Sequence, residues 1–147
     1  MIIRDATDTD LPAIVSIYNE SISGGKATAD LVPVTVKERW VWFQEFDPDR
    51  RPCWVAEDEG KVVACVYLRS FYAGRLAYNK TAEISTYICP SHQGQGLGTR
   101  LKKKMITECP RLGVENLLSF YFDHNEASRR VNEKLGFKDS GHLKEIA

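Results

Sequence analysis

Gly94, Gly96 and Gly98 occupy alternate positions between Pro90 and a lysine-rich, helix-like segment. Glycine lets backbone N–H groups converge without a side chain in the way. At a helix start, those unpaired donors and the helix dipole favour an anion, so the stretch reads as a phosphate cradle. A carboxylate, Glu83, lies seven positions before Pro90 in a strand-like run, between apolar Ala82 and Ile84. Burial there raises its affinity for a proton, which suits a base working near neutral pH. Two plainer alternatives stay open from pattern alone: a glycine turn without ligand, and a glutamate facing solvent from a half-exposed strand.

Two common phosphate motifs do not fit. The GxxxxGK[ST] string is absent, and the Gly94-x-Gly96-x-Gly98 spacing differs from the GxGxxG of dinucleotide-binding units. Composition narrows the field further. The 147 residues are 43% hydrophobic and 27% charged, as in a soluble globular domain, and 20 basic residues balance 20 acidic ones. That balance argues against nucleic acid or a membrane surface as partner. Cys53, Cys65, Cys89 and Cys109 form no CxxC pair and no metal-like spacing with the three histidines. No metal site is expected, and the cysteines read as small buried hydrophobes. No apolar run reaches the roughly 18 residues of a membrane span, and the N-terminus lacks a secretion pattern, so the cytoplasm is the expected compartment.

The elements that must hold Glu83 and the loop follow from the periodicity. Met1 to Arg4 reads as a strand. Capping residues from Thr7 and the early Pro12 start a helix carrying Leu11, Ile14, Val15, Ile17 and Tyr18, which dissolves at Ser23-Gly24-Gly25. A second helix starts at Thr35 and stops near Asp47-Pro48. From Pro52 two β-rich runs joined by Glu59-Gly60 predict a hairpin. Thr81 to Cys89 is a strand, and a helix follows the glycines to about Cys109. Val114 to Phe122 is a strand, Asn125 to Leu135 a helix stopped by Gly136, and 137–147 has room for one more strand. The expectation is one α/β (α+β) domain over 1–147, with a mixed, mostly antiparallel sheet, a parallel pair around the glycine loop, and helices on both faces.

The string Gln93-Gly94-Gln95-Gly96-Leu97-Gly98 after Ile88-Cys89-Pro90 resembles the pyrophosphate loop of the GNAT-type N-acetyltransferases. Asn125-Glu-Ala-Ser-Arg-Arg-Val-Asn-Glu-Lys-Leu-Gly-Phe137 is similar to that family's second signature, and the opening strand and helix fit too. The likeness runs over nearly the whole chain. Within the family it is closest to the phosphinothricin and methionine-sulfoximine acetyltransferase group, through Ile17-Tyr18-Asn19, Gly74 to Tyr78, Thr81-Ala82-Glu83 and Gly141 to Glu145.

The resemblance implies direct acetyl transfer from acetyl-coenzyme A to the amine of a small amino-acid-like acceptor, with Glu83 as base. It implies coenzyme contacts from Tyr87, Ile88 and Cys89, from Gln93, Gly94, Gln95, Gly96, Leu97, Gly98 and Thr99, and from Asn125. Backbone N–H groups around Tyr87 to Cys89 would hold the thioester carbonyl, and the pantetheine arm would enter where this strand splays from the one around Leu118 to Tyr121. Arg75 and Tyr78 match residues lining the acceptor pocket of the group, although Arg75 as a solvated loop charge is the competing view. Cys89 is no nucleophile in this scheme; a ping-pong enzyme using it is the alternative.

Three departures from the family pattern matter. Asn132 stands where many relatives carry a tyrosine acid, leaving Tyr121 or Tyr87 to assist the thiolate. Gln93 replaces a common arginine, shifting phosphate help to the helix end and to Arg100 or Lys102. Relatives usually continue into a final strand: a whole chain ending here leaves the sheet an open edge or has a partner chain complete it in a homodimer, whereas a shortened chain would lose acceptor binding and keep coenzyme binding. A coenzyme-binding sensor without chemistry is the rival from another class; a protein N-terminus or a polyamine is the rival acceptor.

Overall fold

The computed structural model describes residues 1–146, and Ala147 lies outside them. The strands are β1 (Ile2–Asp5), β2 (Cys53–Asp58), β3 (Lys61–Ser70), β4 (Thr81–Ile88) and β5 (Asn116–Leu118). The helices are α1 (Leu11–Ile22), α2 (Val36–Phe43), α3 (Leu97–Glu108) and α4 (Glu126–Lys134). The five strands form one sheet in chain order, antiparallel throughout except for the parallel pair β4–β5.

Local chemistry accounts for most boundaries. Glu59 and Gly60 both take positive φ (48° and 76°), which closes the β2–β3 hairpin with the twist of its strands. Thr35 caps α2 in a reciprocal box with Glu38: Glu38 N–H donates to Thr35 Oγ1 (3.2 Å), and Thr35 N–H donates to Glu38 Oε2 (2.7 Å). The run Val63 to Leu68 is buried along its whole length, as expected of a central strand covered on both faces.

The pleat divides the core in two. Val55, Cys65 and Tyr67 pack under α1 and α2 with Leu11, Ile14 and Phe43. Ala64, Val66, Leu68, Ala82 and Ile84 pack under α3 with Leu97, Leu101 and Met105. Leu101 is fully buried at the centre of this second layer. Leu101→Ala is expected to lower unfolding free energy by about 2–5 kcal/mol, read from the midpoint of urea denaturation at unchanged slope.

Two expectations need correction. The strand foreseen over Val114–Phe122 contracts to Asn116–Leu118, and 137–146 contributes no strand. Leu143 and Ile146 are 67% and 71% exposed, so those apolar residues find no sheet to cover them. Elsewhere, a buried arginine fixes the segment leading into β4. Arg51 donates to Asn79 O (2.7 Å) and to Ser70 Oγ (3.0 Å), clamping both ends of the β3–β4 connection.

Candidate active site

The three glycines serve two purposes. Gly94 (φ 74°) and Gly96 (φ 80°) hold the left-handed conformation that side chains resist, whereas Gly98 has ordinary φ but a Cβ there would stand 3.2 Å from Ile88 Cδ1. The first two turn the chain, and the third lets α3 approach β4. Gly96 is the N-cap of α3 and offers no side-chain partner, and the first intrahelical bond runs from Arg100 N–H to Gly96 O (3.0 Å). The N–H groups of Leu97, Gly98 and Thr99 therefore project as unpaired donors at the positive end of the helix. A surface pocket opens beside them, lined by Met1, His92, Gln95, Gly96, Leu97 and Arg100.

The side chains of this loop are largely committed to the loop itself. Gln93 Nε2 donates to Ile88 O and Gln95 Nε2 to Ser91 O, each at 2.9 Å. Backbone groups, with Arg100 at the pocket wall, are what the loop presents to a ligand. Asn125 is similarly engaged: its Oδ1 caps α4 by accepting from Ser128 N–H (3.1 Å), while its Nδ2 donates to Lys26 O (2.7 Å).

β4 leads from this loop to Glu83. Pairing with β5 covers only Thr81↔Asn116, Ala82↔Leu117 and Glu83↔Leu118, and beyond Glu83 the two strands part. The pairing thus ends beside the carboxylate, where the resemblance implies a splay. Cys89 N–H donates to Val63 O (2.9 Å), so it is spent inside the sheet. That corrects the inclusion of Cys89 among the carbonyl-holding donors. Strand alternation then turns the N–H groups of Tyr87 and Ser85 toward β3, and those of Ile88 and Thr86 toward the open side. Among the described residues Thr86 Oγ1 is buried without a hydrogen-bond partner, as is Asn132 Nδ2, and buried polar atoms in that state call for a ligand or water.

Glu83 is half-buried and is the direct cross-strand partner of Arg69 on β3. Burial pushes its carboxyl up from the ordinary value, and the Arg69 charge pulls weakly the other way. Glu83, Ser85 and Tyr87 share the sheet face under α1 and α2. There Tyr87 packs edge-on against Tyr18 (centroids 5.0 Å) and stacks on Tyr67 (6.2 Å). A small aromatic pocket on this face is walled by Tyr18, Arg39, Trp42, Tyr67 and Tyr87. Arg39 lies 4.6 Å over the Tyr18 ring and donates to Asp30 (2.9 Å), as does the Tyr18 hydroxyl. Tyr18 comes from α1 and Trp42 from α2, and Arg39, the cation of this pocket, carries no motif that marks it in the sequence.

Arg75 and Tyr78 sit apart from this pocket on the exposed β3–β4 connection. The Arg75 guanidinium is 5.9 Å above Tyr72, and Tyr72 stacks on Tyr78 (5.4 Å). Cys89 has company: its Sγ is 3.2 Å from His92 Nδ1, and His92 Nε2 is 3.3 Å from Asp58 Oδ2. Lys102, expected to help with phosphate, instead turns inward and is 6% exposed. Its Nζ donates to Asn132 Oδ1 (2.8 Å) and Ser119 Oγ (2.9 Å). Helical spacing was the missed signal, since Leu97, Leu101, Lys102 and Met105 lie on one stripe. Of the other acids considered, Tyr87 is pushed upward by burial, and Tyr121 spends its hydroxyl on Asp139 (3.3 Å).

An unpaired strand edge, a helix start rich in free donors and a half-buried carboxylate at the splay fit a pantetheine-bearing nucleotide and an amine acceptor. Comparison with known proteins agrees. Residues 12–137 match the acetyltransferase (GNAT) family. YwnH of Bacillus subtilis (strain 168), provisionally assigned as a phosphinothricin acetyltransferase, is 43% identical over 148 residues, covering 100% of this chain and 90% of the relative. The L-methionine sulfoximine/L-methionine sulfone acetyltransferase of Salmonella typhimurium (strain LT2) is 31% identical, covering 99% of this chain and 85% of that one. The crystal structure of a GNAT superfamily phosphinothricin acetyltransferase from Sinorhizobium meliloti in complex with acetyl-coenzyme A superposes with a TM-score of 0.88 at 30% identity, covering 95% of this chain and 76% of that chain. Among the described residues no group of three or more His, Cys, Asp or Glu is placed to hold a metal ion, and no helix is long and apolar enough to cross a membrane.

Proposed function

That the chain belongs to the GNAT acetyltransferase family is the premise from which we propose its reaction: direct acetylation of the α-amine of a small amino-acid-like acceptor, of the phosphinothricin or methionine sulfoximine kind. The observation that carries the reading is Glu83, half-buried with its proton affinity raised, at the point where β4 and β5 part.

Acetyl-coenzyme A supplies the activated acetyl group, and the chain supplies the rest. The N–H groups of Leu97, Gly98 and Thr99 receive the pyrophosphate. The outward groups of Thr86 and Ile88 pair with the amides of the arm as an added strand would, and the same line of donors polarises the thioester carbonyl. Glu83 takes the proton from the ammonium of the acceptor, directly or through a water, so that the free amine attacks. The pocket of Tyr18, Arg39, Trp42, Tyr67 and Tyr87 receives the acceptor side chain, with Arg39 the cation for its carboxylate; Arg75 and Tyr78, held against Tyr72 apart from this pocket, would reach an acceptor only at its outer end.

One contact favours a second reading. Cys89, His92 and Asp58 stand in nucleophile–base–orienter order, as an acetyl-cysteine intermediate would need. Release of coenzyme A across phosphinothricin, methionine sulfoximine, common amino acids and polyamines, in wild type and Cys89→Ser, decides between them. Release with the amino-acid-like acceptors, retained in Cys89→Ser and with no acetyl adduct in the intact mass, is the expected result. An adduct that vanishes in Cys89→Ser together with turnover would establish ping-pong transfer. Tight coenzyme binding without release on any amine would leave only a sensor.

A further inference from the structure

Among the described residues, Lys102 is a buried cation without a counter-ion. Its two hydrogen-bond partners, Ser119 and Asn132, are both neutral. The charged groups of the elements around it are directed elsewhere. On α3, Lys104 lies 5.1 Å over the Trp54 ring; on α4, Glu133 is 4.0 Å from Arg129; past β5, Tyr121 donates to Asp139. The Phe137 ring lies 5.8 Å from Nζ. Burying an ammonium among neutral groups is costly, and a neutral side chain could tie α3 to α4 without that cost.

Its position gives the cost a use. Glu83 pairs with Leu118 in the last register of β4–β5, and the residue after Leu118 is Ser119, the acceptor of a Lys102 hydrogen bond. The gap between the strands thus has Glu83 on the α1–α2 face and Lys102 on the α3–α4 face. The orphaned amide of Asn132, on the other partner of Lys102, marks the same wall as unsaturated.

Resting on the acetyltransferase reading, we propose that Lys102 is the acid of the transfer: its ammonium, held by Ser119 and Asn132 beside the open end of β4–β5, protonates the coenzyme sulfur as it leaves. The balance is closed. The amine–carbon bond forms and the carbon–sulfur bond breaks. Glu83 holds the proton taken from the acceptor, and sulfur carries away the proton of Lys102. The acylated nitrogen sheds its second proton to solvent, solvent returns one to Lys102, and Glu83 gives up its own, so each turnover releases one proton. Burial brings Lys102 down to about 8, close to an ordinary thiol, so the proton moves between groups of similar affinity.

The test compares wild type, Lys102→Met and Lys102→Arg in two measurements. In turnover, wild-type kcat falls on the alkaline side near pH 8 as Lys102 loses its proton. Lys102→Met is expected to lower kcat by about 10²-fold, with the KM for acetyl-coenzyme A unchanged and the alkaline limb gone. Lys102→Arg keeps the charge but cannot deliver a proton, and is expected to be slow with no limb near pH 8. In binding, titration of free coenzyme A on the protein, read by thiolate absorbance, is expected to give a lower thiol pKa with wild type and Lys102→Arg than with Lys102→Met. An alkaline limb and a bound-thiol pKa untouched by Lys102→Met would overturn the proposal while leaving the acetyltransferase intact. Wild-type protein that binds no coenzyme A would instead overturn the function and this role together.

Discussion

Glu83→Gln lowers kcat for amine acetylation by about 10²- to 10⁴-fold, the range for losing a positioned general base. Glutamine keeps the volume and the strand position between Ala82 and Ile84, and it cannot accept the ammonium proton. The KM for acetyl-coenzyme A is expected to stay the same, since the loop and the outward strand groups lie farther along β4. The pH dependence gives a second readout. Burial raises the Glu83 carboxyl, so wild-type kcat/KM falls with acid at a pH above the ordinary carboxylate range, and the Gln variant lacks that limb.

Stability separates a lost base from a damaged fold. A carboxyl whose folded pKa is raised penalises folding at every pH above its unfolded value, because the unfolded chain ionises more readily. The penalty is absent in acid and complete once pH exceeds the folded value. Glu83→Gln removes it, so at neutral pH the variant is expected to melt no lower than wild type. Full activity in Glu83→Gln would return Glu83 to a solvent-facing strand residue and move the base elsewhere.

What the sequence made legible was the chemistry held in short segments. The Glu59-Gly60 turn, the Thr35 cap and the alternate glycines each depend on a few consecutive residues, and each appears where those residues direct it. The splay beside Glu83 followed from the resemblance, and the register makes it concrete. What stayed hidden depends on distant pairing. Cys89 N–H goes to Val63, which only the β3–β4 register decides. Lys102 reads from its place in the chain as a phosphate contact, and only its pairing with Asn132, from a helix far along the chain, shows it turned inward. Arg39 reaches its pocket because α2 lies across Tyr18. Residues 137–146 contain apolar side chains but no alternation to bind them to an edge, and β5, three residues long, offers little edge to bind.

Gly96→Val tests the other half of the site and is expected to do the larger damage to coenzyme binding. Gly96 sits at φ 80° with nothing within 4 Å of a Cβ placed there, so the cost of substitution is conformational, not a collision. A side chain in the left-handed region costs about 1–2 kcal/mol, and a β-branched one tolerates it worst. The chain escapes by turning this residue out of that region, which rotates the N–H groups of Leu97, Gly98 and Thr99 away from a common point. An affinity loss of about tenfold or more for coenzyme A, equal to at least 1.4 kcal/mol of binding, follows from misdirecting those donors. Two companions isolate the cause. Gly96→Asn, a residue that accepts positive φ, should recover most of the binding. Gly98→Ala, at ordinary φ, asks only that the Ile88 side chain yield from 3.2 Å, and should cost far less. Were the three variants to bind coenzyme A alike by calorimetry, the backbone donors of this turn would not be what holds the pyrophosphate, and Arg100 at the pocket wall would be the group left to hold it.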